Sequence, residues 1–243
     1  DLNVLDGIDL IAEAGKVTVL SGPSGCGKST LLGIMGGLLR PSAGSVHTIG
    51  DVSDDCLSPL AYVFQDFALL PWRTVAGNVA LPLEGRLAKA ATAERVRDVL
   101  HLTGLADFAD AWPKQLSGGM RQRVGIARAL AVRPACLLMD EPLSALDAQT
   151  RDLLLDEFAS IVTRAGTTTV YVTHNLAEAT RLGQQIVVLS RRPGRIRATF
   201  RIDRPIAGRT ARDPDLLAIE AELWKLIRDD AAAAEREKFG AAA

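Results

Sequence analysis

Short apolar runs alternate with helical stretches along much of the chain. Runs that are apolar on successive residues predict strands over 17–20, 61–64, 136–139, 169–172 and 186–189. Apolar residues at helical spacing predict helices over 28–39, 92–102, 120–131, 148–164 and 213–228. Strands without polar alternation are typical of a mostly parallel sheet that is covered on both faces. The pattern therefore predicts an α/β fold. Thr92 is the predicted N-cap of the helix over 92–102.

The middle of the chain lacks a strand of this kind. Between Phe67 and Leu116 the apolar residues follow helical patterns only, which predicts a helical subdomain inserted into the α/β core. The alanine-rich segments at 231–234 and 241–243 are expected to fray. The predicted boundaries, all within one domain over 1–243, are 1–66 and 134–200 for the core, 67–133 for the helical subdomain and 201–243 for a C-terminal helical extension.

Composition and charge exclude several classes of protein. The 243 residues are 48% hydrophobic and 23% charged, as in an ordinary globular protein, and 28 Lys and Arg balance 29 Asp and Glu. Such a balance provides no global positive field, so we expect no nucleic-acid partner. Arg133 and Pro134 interrupt the longest apolar stretch, so we expect no membrane span. With three cysteines, no CxxC pair and no basic-then-apolar leader after Asp1, the sequence favours a reducing cytoplasm.

A glycine-rich segment between a strand and a helix carries the strongest motif. Gly22-Pro23-Ser24-Gly25-Cys26-Gly27-Lys28-Ser29-Thr30 fits the pattern G-x-x-x-x-G-K-[ST], in the structural context that the pattern requires. We expect its backbone N–H groups to cradle phosphates, Lys28 to reach the β- and γ-phosphates, and Ser29 to complete a Mg²⁺ shell. Cys26 lies near a lysine and a helix start, which favours a thiolate, but phosphoryl transfer needs no thiol. The core is therefore predicted to bind a nucleotide.

Polar side chains follow three of the predicted strands. Asp140 is expected to bind Mg²⁺, and Glu141, one residue further, to act as the general base that activates a water. Gln65 is expected to enter the Mg²⁺ shell or hold the attacking water, and His174 to contact the γ-phosphate. A lone Gln or His at a strand end is usually a capping or core residue. Here the strand ends converge on one sheet edge, which favours function.

A second anion-binding helix start is predicted at Leu116-Ser117-Gly118-Gly119-Met120-Arg121-Gln122-Arg123. This segment resembles the LSGGQ-type signature of ABC transporter ATPases, although Met120 stands where the commonest signature has Gln. The order of Gln65, the signature, Asp140-Glu141, Ser144-Ala145-Leu146-Asp147 and His174 also follows that family, so the resemblance covers almost the whole chain. A P-loop kinase would not need the signature, and the Asn-Lys-x-Asp of a GTPase is absent from the sequence.

The resemblance implies a fold, cofactors and partners. The fold is that of an ABC ATPase, a P-loop NTPase core with an antiparallel β region near the N-terminus, and the cofactors are ATP and Mg²⁺. Two ATPase subunits, either identical or different, are expected to stack head to tail. Ser117, Gly118 and Gly119 would then contact the ATP of the opposite subunit, and Asp147 would couple the two sites. Two permease subunits and a periplasmic or lipoprotein solute-binding protein are the further partners, which places the chain on the cytoplasmic face of the membrane.

Several short sequence segments resemble those of the ABC importers of nitrate, sulfonate, taurine and bicarbonate, which take up small anionic solutes. These segments are Phe64-Gln65-Asp66, the run from Leu69 to Val75, Asn78-Val79 and the run from Ser190 to Ile196. The aromatic residue that stacks on adenine in the family has no counterpart, since only Leu2 and Val4 precede Leu5 among the candidates. An ATPase of a lipid or efflux permease is the alternative.

An apolar cluster just after Gln65 has two interpretations. Phe67, Leu69, Leu70 and Trp72 are expected to form a groove for a cytoplasmic helix of the membrane subunit, or to pack the helical subdomain against the core. The two interpretations do not exclude each other.

Overall fold

The computed structural model describes residues 2–144 and 148–240. The chain forms two compact units, of which the first comprises Asp1–Val46 and Thr169–Ala243 and the second His47–Thr168. This division groups two strands of the predicted core with the helical residues in the second unit. The predicted subdomain boundaries at 66 and 134 stay a prediction.

Six strands and seven helices lie within the described residues. The strands are β1 Val17–Ser21, β2 Leu60–Val63, β3 Cys136–Asp140, β4 Thr168–Val172, β5 Gln185–Leu189 and β6 Ile196–Arg201. The helices are α1 Lys28–Met35, α2 Val75–Ala80, α3 Lys89–Leu102, α4 Gly118–Leu130, α5 Ala148–Ala165, α6 Leu176–Leu182 and α7 Pro214–Gly240, with 3₁₀ turns at Leu81–Leu83, Ala106–Phe108 and Pro113–Gln115. In residues 2–144 and 148–240, no helix combines the length and apolar character that crossing a bilayer requires.

The first unit is built around β1. Parallel strands flank it on both sides, with Leu20 paired to Val172 of β4 and Val19 to Ile186 of β5. All five residues of β1 are buried, which explains why its sequence shows no polar alternation. Strand β6 is antiparallel to β5 and alternates half-buried and exposed residues, as expected for a strand with one covered face. The carboxyl end of β1 therefore lies in the middle of this sheet.

The antiparallel pair of the described chain is β5–β6, not a region near the N-terminus as the resemblance implied. Residues 2–16 instead contribute one parallel bridge, between Leu5 and Gly194. The N–H of Gly194 donates to the carbonyl of Val4 at 2.8 Å, and the N–H of Asp6 donates to the carbonyl of Gly194 at 3.0 Å. Because both hydrogen bonds converge on one glycine, this contact is a bridge and not a ladder.

The second unit pairs β2 with β3 in parallel, and Val63 lies opposite Met139. Helix α4 contacts β2 and α2, and α3 contacts α2, α4 and α5. The segment that follows β2 is anchored by the buried Asn78, whose Oδ1 accepts from the N–H of Leu70 at 2.8 Å and whose Nδ2 donates to the carbonyls of Leu70 and Arg73, both at 3.1 Å. A buried amide with satisfied donors and acceptor holds this segment in one conformation.

Three predicted helix limits need correction. Helix α1 ends at Met35 rather than residue 39, because Gly37 adopts a positive φ of 71° and stops the helix. Helix α3 begins at Lys89, so Thr92 lies inside its first turn and is not its cap. Helix α7 continues through the alanine run at 231–234, which was expected to fray, in keeping with the high helix propensity of alanine.

Candidate functional site

The glycine-rich segment of the first unit forms a loop between β1 and α1. Gly22, Gly25 and Gly27 all have positive φ, at 148°, 77° and 105°. A Cβ on Gly22 would lie 2.7 Å from the carbonyl oxygen of Leu189, and one on Gly27 would lie 2.7 Å from a methyl group of Leu5. These positions therefore require glycine.

Lys28 is the first residue of α1, and its side chain turns back into the loop. It is only 6% exposed, and its Nζ donates to the carbonyl oxygens of Gly22 at 2.9 Å and Pro23 at 3.1 Å. A buried ammonium group at a helix N-terminus suits a polyphosphate. Ser29 follows on the first turn of α1 and is exposed, so a hard hydroxyl oxygen stands at the loop's rim. The loop's shape and donor set fit a nucleotide with its Mg²⁺.

Cys26 is buried in this loop, and the structure corrects the expectation that it favours a thiolate. Its side chain is 1% exposed, and burial raises the pKa of the thiol although the ammonium of Lys28 lies 3.9 Å from its Sγ. Desolvation outweighs the neighbouring charge here. The sequence showed the charged neighbour but not the burial.

His174 belongs to the same edge of the first unit. The N–H of Thr173 donates to the carbonyl of Leu20 at 3.1 Å, which continues the pairing of β4 with β1 beyond the strand's end. His174 follows directly and is exposed. The structure thus brings His174 and the phosphate loop to the carboxyl ends of two adjacent strands.

Asp140 is the last residue of β3 in the second unit, and Glu141 follows it directly. Glu141 has a φ of 44°, a left-handed conformation that costs a non-glycine residue on the order of 1 kcal/mol. Its carbonyl oxygen accepts from the backbone N–H of Ser144 at 3.1 Å and from the Ser144 hydroxyl at 2.8 Å. Gln65 is exposed two residues after β2, and because β2 and β3 are parallel, it leaves the same edge of the pair as Asp140.

Tyr62 is a residue of this edge that sequence reasoning missed. Burial, together with the negative charge of Asp140 and a hydrogen bond to that carboxylate, raises the pKa of Tyr62 to about 12. The phenol is therefore a neutral hydrogen-bond donor at physiological pH, and it orients the Asp140 carboxylate. Its ring lies 4.3 Å from that of Phe64, measured between centroids. Only the register of β2 against β3 reveals this neighbour.

The predicted signature opens α4, also in the second unit. Ser117 is exposed and caps the helix, because its Oγ accepts from the N–H of Met120 at 3.2 Å. Gly118 follows at the helix start, and Gly119 is buried against α5, where a Cβ would lie 2.6 Å from a methyl group of Leu154. The first turn contains no acidic residue, so this helix start can accept an anion. The predicted coupling residue Asp147 lies outside the described residues.

The apolar cluster after Gln65 divides into two parts. Phe67 packs against α4, where a Cβ on Gly125 would lie 3.3 Å from it, and Arg128 of the same helix donates to the carbonyl oxygens of Phe67 and Ala68. Trp72, in contrast, is 69% exposed. Part of the cluster is therefore internal packing, and its aromatic end faces solvent.

A phosphate loop between a central strand and a helix, in a mostly parallel sheet with carboxylates at a strand end, defines a P-loop nucleoside triphosphatase. Residues 5–144 match the family described as ABC transporter. The chain belongs to this family: it is an ABC ATP-binding subunit, an ATPase whose cofactors are ATP and Mg²⁺.

Relatives and a solved structure agree with this assignment. The chain is 44% identical over 220 residues to the aliphatic sulfonates import ATP-binding protein SsuB 1 of Pseudomonas syringae pv. syringae, covering 90% of this chain and 87% of the relative. It is 46% identical over 194 residues to the taurine import ATP-binding protein TauB of Rhizobium johnstonii, covering 79% of this chain and 74% of the relative. A dimeric ATP-binding cassette, solved in a post-hydrolysis state with ADP and Pi, superposes with a TM-score of 0.65 at 34% identity, covering 82% of this chain and 90% of that one.

The burial of Cys26 predicts the order in which the three cysteines react. Iodoacetamide at pH 8 should alkylate the half-buried Cys56 first, because burial raises the pKa of Cys26 and that of Cys136, the latter to about 11. Peptide mass spectrometry after timed quenching measures each site, and the urea-unfolded chain serves as the control in which all three react alike. Labelling of Cys26 at the rate of Cys56 in the native protein would contradict the assignment.

Proposed function

We propose that this chain is the ATP-hydrolysing subunit of an ABC importer for a small anionic solute of the sulfonate, taurine, nitrate or bicarbonate type. Two copies pair head to tail around two ATP molecules with Mg²⁺, on the cytoplasmic face of the membrane. They drive two separate permease subunits, to which a periplasmic or lipoprotein solute-binding protein delivers the solute. The names of the sulfonate and taurine relatives support the direction and the class of solute.

The groups of the first unit hold the nucleotide in this proposal. The loop from Gly22 to Gly27 presents amides to the phosphates, with Pro23, Ser24 and Cys26 supplying its backbone and Thr30 following in α1. Lys28 exchanges the neutral carbonyls that it contacts for phosphate oxygens, which bind an ammonium more strongly. His174 contacts the γ-phosphate from the neighbouring strand end.

The carboxylates of the second unit supply the base and a metal ligand. Ser29, Gln65 and Asp140 are the proposed ligands of Mg²⁺, with Tyr62 orienting Asp140. Bound Mg²⁺ neutralises charge on the phosphates. Glu141 takes the proton of the attacking water, and Gln65 holds that water. The left-handed conformation of Glu141, fixed by Ser144, supports this role, because such strained residues cluster at active sites.

The observation that carries the head-to-tail pairing is the exposed, acid-free start of α4. An anion-binding helix start without a base of its own is one part of a site, and a second copy of the chain supplies the rest. ATP then contacts both subunits, so binding closes the pair and hydrolysis reopens it. Asp147 is proposed to couple the two sites.

The permease contact is proposed at the exposed aromatic end of the cluster. Trp72 precedes α2, and Ala76 on the first turn of α2 lines a mostly apolar cavity of about 320 Å³ together with Val96, Leu100 and Ala109. A cytoplasmic helix of a membrane subunit fits a surface of this kind, and Trp72 of this chain would be the aromatic residue that anchors the contact. A lipid or efflux permease is the alternative partner, and the genes beside this one distinguish it from an importer.

Glu141→Gln should leave ATP binding intact and stop turnover, because the amide keeps the shape of the side chain and loses the base. The variant should also accumulate as a closed dimer with two ATP. Nucleotide binding, phosphate release and size-exclusion chromatography measure the three effects. Glu94→Gln, on the exposed face of α3, is the matched control and should behave like the parent. Turnover at a near-parental rate would show that Glu141 is not the base.

Ser117→Arg and Lys28→Ala should each abolish hydrolysis as pure dimers but restore it when mixed. A heterodimer holds one composite site with both defects and one with neither. An equimolar mixture should therefore recover roughly a quarter of the parental rate if the two sites act independently. Phosphate release is measured beside native mass spectrometry that proves heterodimer formation. No recovery in a proven heterodimer would count against head-to-tail pairing.

Trp72→Ala should weaken association with the permease about 30-fold, the equivalent of roughly 2 kcal/mol for a central aromatic anchor. The melting temperature should not change, because the side chain is 69% exposed. Trp224→Ala removes another exposed tryptophan, from α7, and is the matched control. Pull-down of the detergent-solubilised permease and a melting curve are the measurements. Unchanged association, or a large fall in melting temperature, would refute the docking proposal.

A further inference from the structure

A buried carboxylate lies next to the turn that carries His174. Glu178 of α6 is 4% exposed, and its Oε2 accepts from the hydroxyl of Tyr171 at 2.9 Å and from that of Thr173 at 2.8 Å. Tyr171 is fully buried and Thr173 is 2% exposed, so both hydroxyl groups have fixed positions at the end of β4. One carboxylate oxygen thus ties α6 to the end of β4 by two hydrogen bonds.

The residue on the other side of His174 joins the same network. The N–H of Asn175 donates to the Oγ1 of Thr173 at 3.0 Å. The Oδ1 of Asn175 accepts from the N–H of Glu178 at 3.1 Å, which caps α6. Both chain neighbours of His174 are therefore hydrogen-bonded to Glu178, one through its side chain and one through its backbone, while His174 itself is exposed at the tip of the turn.

We propose that Glu178 is a positioning residue for His174 in ATP hydrolysis, and this inference rests on the role proposed above for His174. Its carboxylate fixes the backbone before His174, and its N–H fixes the backbone after it. The imidazole is then presented at one place beside the phosphate loop without any contact between Glu178 and the nucleotide. A displacement on the order of 1 Å at a catalytic group is enough to lower a rate about a hundredfold. Loss of the hydrogen bonds to Glu178 should therefore affect turnover more than nucleotide binding.

A carboxylate suits this place better than an amide. Its Oε2 accepts two hydroxyl donors at once, and hydrogen bonds to a charged acceptor are stronger than those to a neutral one. A glutamine oxygen can accept the same two bonds, but its NH₂ group then requires acceptors in a buried environment. Glu178→Gln is consequently a mild perturbation that keeps the side chain's volume, and Thr173→Val removes one donor while keeping the carboxylate.

A double-mutant cycle tests whether Glu178 acts through His174. Glu178→Gln should lower kcat about tenfold and leave KM for ATP within about twofold, because it displaces a group that acts in the transition state. Thr173→Val should lower kcat in the same direction. In a His174→Ala background, Glu178→Gln should lower kcat by less than about twofold further, since the group that it positions is already absent. Glu222→Gln, on the exposed part of α7, is the control.

The imidazole resonances give a readout that does not depend on activity. The chain has three histidines, His47, His101 and His174, which can be assigned by single substitution in ¹H–¹⁵N spectra. Glu178→Gln and Thr173→Val should shift the ring signals of His174 and leave those of the other two in place. His47 and His101 thus serve as internal controls for a general change in fold.

The outcomes separate the two proposals. If His174→Ala leaves kcat unchanged, the proposed role of His174 fails, and the positioning of its ring is then decided by the resonances alone. If His174→Ala lowers kcat but Glu178→Gln does not, the inference about Glu178 is overturned. Equal losses from Glu178→Gln in both backgrounds, or shifts of all three histidines, would show a general structural role and would overturn it as well.

Discussion

The buried ammonium group of Lys28 is the interaction on which the phosphate loop depends. Removing a cation from water is unfavourable unless acceptors surround it, and here the carbonyl oxygens of Gly22 and Pro23 supply them at 2.9 and 3.1 Å. The loop that carries these carbonyls contains three glycines with positive φ, Gly22, Gly25 and Gly27. The backbone conformation of the loop and the burial of Lys28 are thus linked, because the loop's own carbonyls satisfy the buried ammonium group.

Within each unit, strand direction explains how residues that are distant in the sequence reach one edge of the strands. β1 lies between two parallel strands, so the phosphate loop emerges with the end of β4, which bears His174, on one side and the end of β5 on the other. In the second unit the parallel pair β2–β3 delivers Gln65 and Asp140 by the same rule. Each unit thus presents polar side chains at the carboxyl ends of its own parallel strands.

The sequence predicted the elements whose signals are local and missed those that depend on register or burial. Continuous apolar runs identified five strands to within one residue at each end, because β1, β3, β4 and β5 are almost entirely buried and therefore have no exposed polar face. Two further signals are local: apolar and polar residues alternate along Ile196–Arg201 in β6, and Gly37 follows the end of α1 with a positive φ. Tyr62 beside Asp140, and Glu178 beneath the turn of His174, could not be found from spacing, because each partnership joins side chains that only the folded chain aligns.

Gly194 limits the changes that the connection between β5 and β6 can accept in this chain. A Cβ at this position would lie 2.3 Å from the carbonyl oxygen of Cys26, so the connection between β5 and β6 touches the back of the phosphate loop, backbone against backbone. Hairpin tips usually tolerate insertions, and they are the customary choice for peptide tags or grafted domains. Here even one added methyl group at the tip would collide with the carbonyl of Cys26, so in this chain the hairpin tip is a poor place for an insertion or a tag.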